Sequence, residues 1–159
     1  MLVRSAGRDD LLGIARVAEA GHWESYSGLL KPDTIARLLD RDYSPSALRR
    51  RLIRGGIVVA ESEEALVGFA DSLAERGRIR LKTITTEPTH RRHGVARYLL
   101  DAIRGLDETL PVCSDVLLGN LEGERFYEVH GFAPGEVIQG RLFDEDVIER
   151  RWWLAPAGA

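Results

Sequence analysis

The sequence predicts an α+β fold in one domain covering residues 1–159. Two observations carry this expectation. Helical periodicities fill most of the N-terminal part, and the strand-like runs that follow alternate with further helices. No repeat, low-complexity tract or linker divides the chain, and its length is enough to bury one core.

Met1 to Ala6 reads as a short strand. Asp9 or Asp10 can cap a helix that places Leu11, Ile14, Ala15 and Ala18 on one face. Gly21 to Leu30 (GHWESYSGLL) breaks that pattern and reads as a loop. Pro32 suits the first turn of a helix through Leu39. Ser44-Pro45 opens another, with Leu48, Leu52 and Ile53 apolar and Arg49, Arg50, Arg51 and Arg54 largely on the polar side. Gly56 to Ala60 and Leu66 to Ser72 form a hairpin around the acidic turn Ser62 to Glu64. Arg78 to Thr86 alternates Ile79, Leu81 and Thr83 against Arg80, Lys82 and Ile84, and Pro88 ends it. Val95 to Leu106 is helical and Val112 to Leu118 is a strand. Asn120 caps a short helix stopped by Gly131, and strand-like runs near Glu136 to Ile138 and from Val147 to Leu154 follow.

Several function classes are disfavoured. The net charge of −3, from 22 Lys and Arg against 25 Asp and Glu, speaks against a nucleic-acid binder. No run approaches the roughly 20 apolar residues that span a bilayer, and the N-terminus lacks a signal-like segment, so a cytoplasmic protein without a membrane partner is expected. Cys113 is the one cysteine and has no neighbouring base, so packing is expected of it and not nucleophilic attack. His90 and His93 flank Arg91 and Arg92, whose charges oppose a cation, while His22 and His130 add no ligand spacing; no metal is expected.

The segment Thr86 to Leu100 (TEPTHRRHGVARYLL) carries the chemistry. It runs from a strand through a proline turn into a helix. Gly94 and Ala96 are small enough for a phosphate to approach the backbone, and the first amides of a helix lack internal partners. With the dipole and Arg91, Arg92 and Arg97 nearby, this junction can cradle a pyrophosphate; a turn with a basic helix start is the plainer alternative. Arg91-Arg92-His93-Gly94-Val95-Ala96 resembles the acyl-CoA-binding signature of the GNAT superfamily of N-acetyltransferases. Downstream, Asn120-Leu-Glu-Gly-Glu-Arg-Phe-Tyr127 and Gly131-Phe132 look like that family's later motif, and Val67 to Ala70 is similar to its preceding strand. The resemblance extends from Gly56 to Phe132.

The resemblance implies a mixed, mostly antiparallel sheet with helices on both faces and two parallel strands that part where acetyl-CoA enters. It implies that amides from about Arg92 to Ala96 hold the pyrophosphate, with Arg91 and Arg97 beside them. Ile84, Thr85 and Thr86 would carry the pantetheine arm, the Ile84 amide would donate to the thioester oxygen, and Asn120 would contact the pantetheine or the leaving group. Tyr127 would protonate the departing thiolate, since a phenol with a reference pKa of about 10 can supply the proton. An interior tyrosine and a plain N-cap are the structural alternatives for Tyr127 and Asn120.

Many relatives place an acidic residue or histidine on or beside the CoA-binding strand as base. This strand carries Arg80, Lys82 and threonines instead, leaving His22, Glu24, Asp71 and Glu75 as candidates, directly or through water. Trp23 and Tyr26 are expected to border the amine acceptor, a small molecule or peptide, by cation–π contact, or else to pack as core or lid. One of Trp152 and Trp153 must face away from the core, toward the acceptor cleft, a homodimer contact or a covering helix. Direct transfer in a ternary complex is the expected mechanism; a non-catalytic acyl-CoA sensor is the alternative.

Overall fold

The computed structural model describes residues 1–91 and 94–159. Among these, seven strands form a mixed sheet. β1 (Leu2–Ser5), β2 (Ile57–Ser62), β3 (Ala65–Glu75) and β4 (Arg78–Thr86) pair antiparallel in succession. β5 (Val112–Leu117) joins β4 in parallel, and the hairpin of β6 (Ala133–Leu142) and β7 (Glu145–Leu154) completes the order β1-β2-β3-β4-β5-β7-β6. α1 (Leu11–Tyr26), α2 (Pro32–Tyr43) and α3 (Pro45–Arg54) cover one face; α4 (Val95–Arg104) and α5 (Leu121–Val129) cover the other.

Each face has its own apolar cluster, so the sheet is buried from both sides. On the α4 side Leu81, Leu99, Ile103, Val112 and Trp152 pack together; on the α1 side Ile14, Leu48, Val59 and Phe69 do. Trp152 is buried, whereas Trp153 turns to the opposite face, where its indole donates to Glu136 at 2.8 Å. Alternation along the strand requires this split.

Four local expectations are corrected. First, the stretch after Gly21 is helical: α1 continues to Tyr26, and only the residues after it turn. Gly21 serves close packing, because a Cβ there would sit 2.7 Å from Thr85 Oγ1 on β4. Second, Arg51 is buried and Ile53 is 90% exposed. Arg51 falls on the α3 face shared with Ala47 and Leu48 because it reaches a buried partner, lying 2.5 Å from the fully buried Asp71 carboxylate. Its guanidinium also donates to the Ser72 carbonyl at 2.9 Å. The Tyr43 hydroxyl, 3.1 Å from Asp71 Oδ2, adds a further contact to the same carboxylate.

Third, the alternation along β4 changes phase. Leu81 pairs with Ser72 and Thr83 with Asp71, so Lys82 is the extra residue of a bulge. Ile84, not Thr83, therefore joins Ile79 and Leu81 against the α4 cluster, and Thr83 meets the Tyr43 hydroxyl at 2.9 Å. Fourth, the run near Glu136 to Ile138 is the middle of the longer β6, whose pairing to β7 shifts between Pro134 and Val137. Gly131, with φ of +90°, ends the α5 region in the left-handed conformation expected of it.

Breaking a buried ion pair by removing one partner leaves an uncompensated charge, typically at a cost of about 3–5 kcal/mol. Arg51→Leu should therefore lower the urea-unfolding free energy by about that amount, whereas Arg50→Leu on the exposed face of α3 should change it little.

Candidate active site

Among the described residues, β4 and β5 pair only at Ile79–Val112 and Arg80–Cys113, and then separate. The Ser114 hydroxyl takes the Leu81 carbonyl just past the last pair, at 2.9 Å. A cleft of about 680 Å³ opens at the separation. Gly21, His22, Ser25 and Tyr26 of α1 form one wall; Phe126 and Tyr127 of α5 form the other; β4 from Lys82 to Thr86 and β5 from Ser114 to Leu117 line it between them. The start of α4, Gly94 to Arg97, closes one end together with Arg91.

Backbone groups along the free edge of β4 are directed by strand periodicity. The Glu87 N–H donates to the Val67 carbonyl at 2.7 Å, so Glu87 and Thr85 turn toward β3. Ile84 and Thr86 then present their main-chain groups to the separated edge. At α4, Gly94 adopts φ of +79°, a left-handed conformation natural to glycine, and a Cβ there would meet nothing closer than Tyr98 at 3.7 Å. The Tyr98 N–H returns to the Gly94 carbonyl at 3.2 Å, and the first amides of any α-helix have no partner within it. Gly94 has no side chain to cap them, which suits an anion.

Tyr127 is buried, with its ring against Phe126 and Phe132 and its hydroxyl 2.9 Å from Ser114 Oγ. Burial raises its pKa. The phenol therefore stays protonated across neutral pH. Asn120 does cap α5, its Oδ1 accepting from the Gly123 amide at 3.0 Å, and it also lines the cleft. Tyr26 lines the cleft, its hydroxyl pushed up to about 12 by burial first and then by the Glu149 and Asp42 charges.

The residues named from sequence separate accordingly. Ile84, Thr85, Thr86, Arg91, Gly94, Val95, Ala96, Arg97, Asn120, Tyr127 and Tyr26 meet at the cleft. Arg92 and His93 lie outside the described residues. Trp23 packs instead beside the Leu30, Ile35 and Val147 cluster. The Arg91 guanidinium pairs with both oxygens of Glu24 on α1, at 2.5 and 2.7 Å, tying α1 to the loop. Of the other candidate bases, Asp71 is committed to Arg51 and Glu75 to Arg78 and Arg80, while His22 lines the cleft. Gly21, Ser114 and Asp115 were not singled out from sequence. The signal for Ser114 was available as one hydroxyl among the apolar residues of β5.

Among the described residues, no group of three or more His, Cys, Asp or Glu is placed to hold a metal ion, and no helix is long and apolar enough to cross a membrane.

A family model described as an acetyltransferase (GNAT) domain matches residues 54–134. The chain belongs to the GNAT acetyltransferase family and is an acyltransferase with acetyl-CoA as co-substrate. No curated protein matches the sequence. Solved structures repeat the fold. A PaiA N-acetyltransferase from Thermoplasma acidophilum, in complex with coenzyme A, is 20% identical with a TM-score of 0.77, over 94% of this chain and 96% of that one. A GCN5-related N-acetyltransferase from Rhodopseudomonas palustris is 15% identical with a TM-score of 0.77, over 97% and 94%. A ribosomal-protein-alanine N-acetyltransferase from Brucella melitensis is 17% identical with a TM-score of 0.67, over 98% and 99%.

Cys113 is fully buried on β5, and burial raises its thiol pKa. Iodoacetamide at pH 8 should leave Cys113 unmodified in the native protein and label it fully in denaturant. Rapid native labelling would show that the thiol is reachable and reactive.

Proposed function

We propose that residues 1–159 act as one N-acetyltransferase domain, moving acetyl from acetyl-CoA to a primary amine of a small molecule or peptide by direct attack with both substrates bound. The observation that carries the reading is the meeting of three features at one cleft: an unpaired strand edge, a glycine-led helix start and a buried phenol. In this reading the open amides of α4 and its Gly94 turn receive the pyrophosphate. Ile84 and Thr86 offer main-chain groups to the amide-bearing pantetheine arm. The Ile84 N–H holds the oxygen that gains charge as the amine adds, and a donor aimed there beforehand costs no reorganisation during reaction.

Tyr127 then gives its proton to the departing sulfur. Its raised pKa makes it a weaker acid than a free phenol but keeps the proton in place. A thiol of reference pKa near 8.5 is a tolerable leaving group, so the help required is small. Tyr26 and Ser25 border the space left for the acceptor.

The test is release of free CoA from acetyl-CoA with spermidine, kanamycin, an amino-acid amide and an alanyl tripeptide as acceptors. At least one should turn over. Tyr127→Phe should lower kcat by about 10²-fold, the low end of the range for general acid catalysis, with acetyl-CoA affinity nearly unchanged. Gly94→Glu should abolish acetyl-CoA binding in calorimetry by placing bulk and negative charge at the turn. Wild-type kcat in Tyr127→Phe, under conditions where chemistry limits turnover, removes Tyr127 as the acid.

A further inference from the structure

We propose that His22 is a second catalytic residue, accepting through Nε2 the proton that the attacking amine must lose. The proposal rests on the acetyl-transfer reading above. The need is chemical: an alkylamine has a reference pKa near 10.4, and its nitrogen carries a surplus proton once the N–C bond forms.

The ring is fixed in the form a base requires. His22 Nδ1 lies 2.9 Å from the Ala18 carbonyl oxygen, one turn earlier on α1. A carbonyl only accepts, so Nδ1 carries the ring hydrogen and Nε2 presents its lone pair. Nε2 has no hydrogen-bond partner among the described residues, yet it is absent from the polar atoms sealed off without one, and the residue lines the cleft. Tyr26 and Tyr43 stand edge-on to the ring, with centroids at 5.4 and 5.3 Å, and hold its plane.

The alternatives at the cleft are otherwise engaged or on the wrong side. His90 stands beside Arg91 at the α4 end, with Nδ1 3.0 Å from Thr89 Oγ1. Asp115 is held by Arg80 at 2.6 Å and Arg151 at 2.7 Å. Glu122 stands exposed at the start of α5. His130 lies against Phe126 on the α5 side, where Tyr127 serves the sulfur. His22 stands across the cleft on α1, leaving acid and base on opposite walls.

Charged groups of both signs surround the ring. Asp42 of α2 pairs with Lys82 of β4 at 3.5 Å, and Asp71 of β3 pairs with Arg51. Burial is the largest influence and lowers the His22 pKa below 6.5; the Lys82 charge adds to this, and the Ala18 bond and the Asp42 and Asp71 charges oppose it in part. The imidazole is neutral near pH 7. In the balanced step the N–C bond forms and the C–S bond breaks. The nitrogen proton goes to His22 Nε2 and the Tyr127 proton goes to sulfur. Solvent then returns one proton from His22 to Tyr127.

The test uses the full chain with acetyl-CoA and the fastest of the four acceptors above. Log kcat/KM against pH should rise with slope 2 below the His22 pKa and slope 1 from there to the amine pKa, because both groups must be unprotonated. His22→Gln should show slope 1 throughout and a kcat/KM lower by about 10²–10⁴-fold, with acetyl-CoA affinity and thermal midpoint close to wild type. A folded variant that keeps the slope of 2 and the wild-type kcat/KM overturns the assignment. Should the variant fail to fold, nitrogen NMR of the native protein decides: an Nδ1–H tautomer titrating below pH 6.5 supports the proposal, and an Nε2–H tautomer ends it. No CoA release by the unmodified protein with any acceptor would instead defeat the acetyl-transfer reading itself.

Discussion

Everything at the cleft depends on the parting of two parallel strands. A ladder that stops early leaves backbone donors and acceptors that must find other partners. At the split, the Ser114 hydroxyl takes the Leu81 carbonyl, so the termination is capped by a side chain. The two halves of the sheet are still held together on the opposite face by Arg80, Asp115 and Arg151, one residue from each of β4, β5 and β7. Partly buried, charge-assisted bonds of 2.6–2.7 Å supply cohesion where main-chain pairing is missing. The edge of β4 is thereby free without the sheet coming apart.

A second constraint lies one strand over. The buried pair of Arg51 and Asp71 is weak evidence for stability by itself, since desolvation offsets much of the attraction. Its position is informative. Asp71 faces Thr83 across the β3–β4 ladder, beside the bulge at Lys82, and Tyr43 touches both residues. The bulge puts Thr83 on the α1 and α2 face and Ile84 on the α4 face, with the main-chain groups of Ile84 at the open edge. A one-residue change of phase would reverse those faces.

Much of this was legible beforehand where local chemistry and tertiary structure agree. The start of α4 after a proline turn, the Asn120 cap, the Gly131 stop and the hairpin of β2 and β3 follow from residues whose preferences act over a few positions. The resemblance to a known family supplied the parallel split, which no periodicity in this chain encodes. What escaped were features decided by distant partners. The alternation from Arg78 to Ile84 gives no hint of a bulge, because that bulge answers to Asp71 and Tyr43. Arg51 reads as solvated until Asp71 is placed opposite it. Gly21 reads as a breaker because glycine lowers helix propensity by about 1 kcal/mol relative to Ala. At the site, Tyr127 and the Gly94 turn are legible in motifs, whereas the roles of Ser114 and the orientation of His22 are decided by partners in the folded chain.

The contact between Gly21 and Thr85 bears on how this chain can change over generations. The helix tolerates its weakest non-proline residue mid-length because β4 runs directly beneath, leaving no room for a methyl group. Position 21 cannot drift alone: a larger residue there demands a smaller one at 85 or a retreat of α1. A retreat would carry His22, Ser25 and Tyr26 with it and reshape the cleft wall they form. The two sites are thus expected to covary among descendants that keep this cleft, and a lineage that breaks the pairing is one in which the wall has moved.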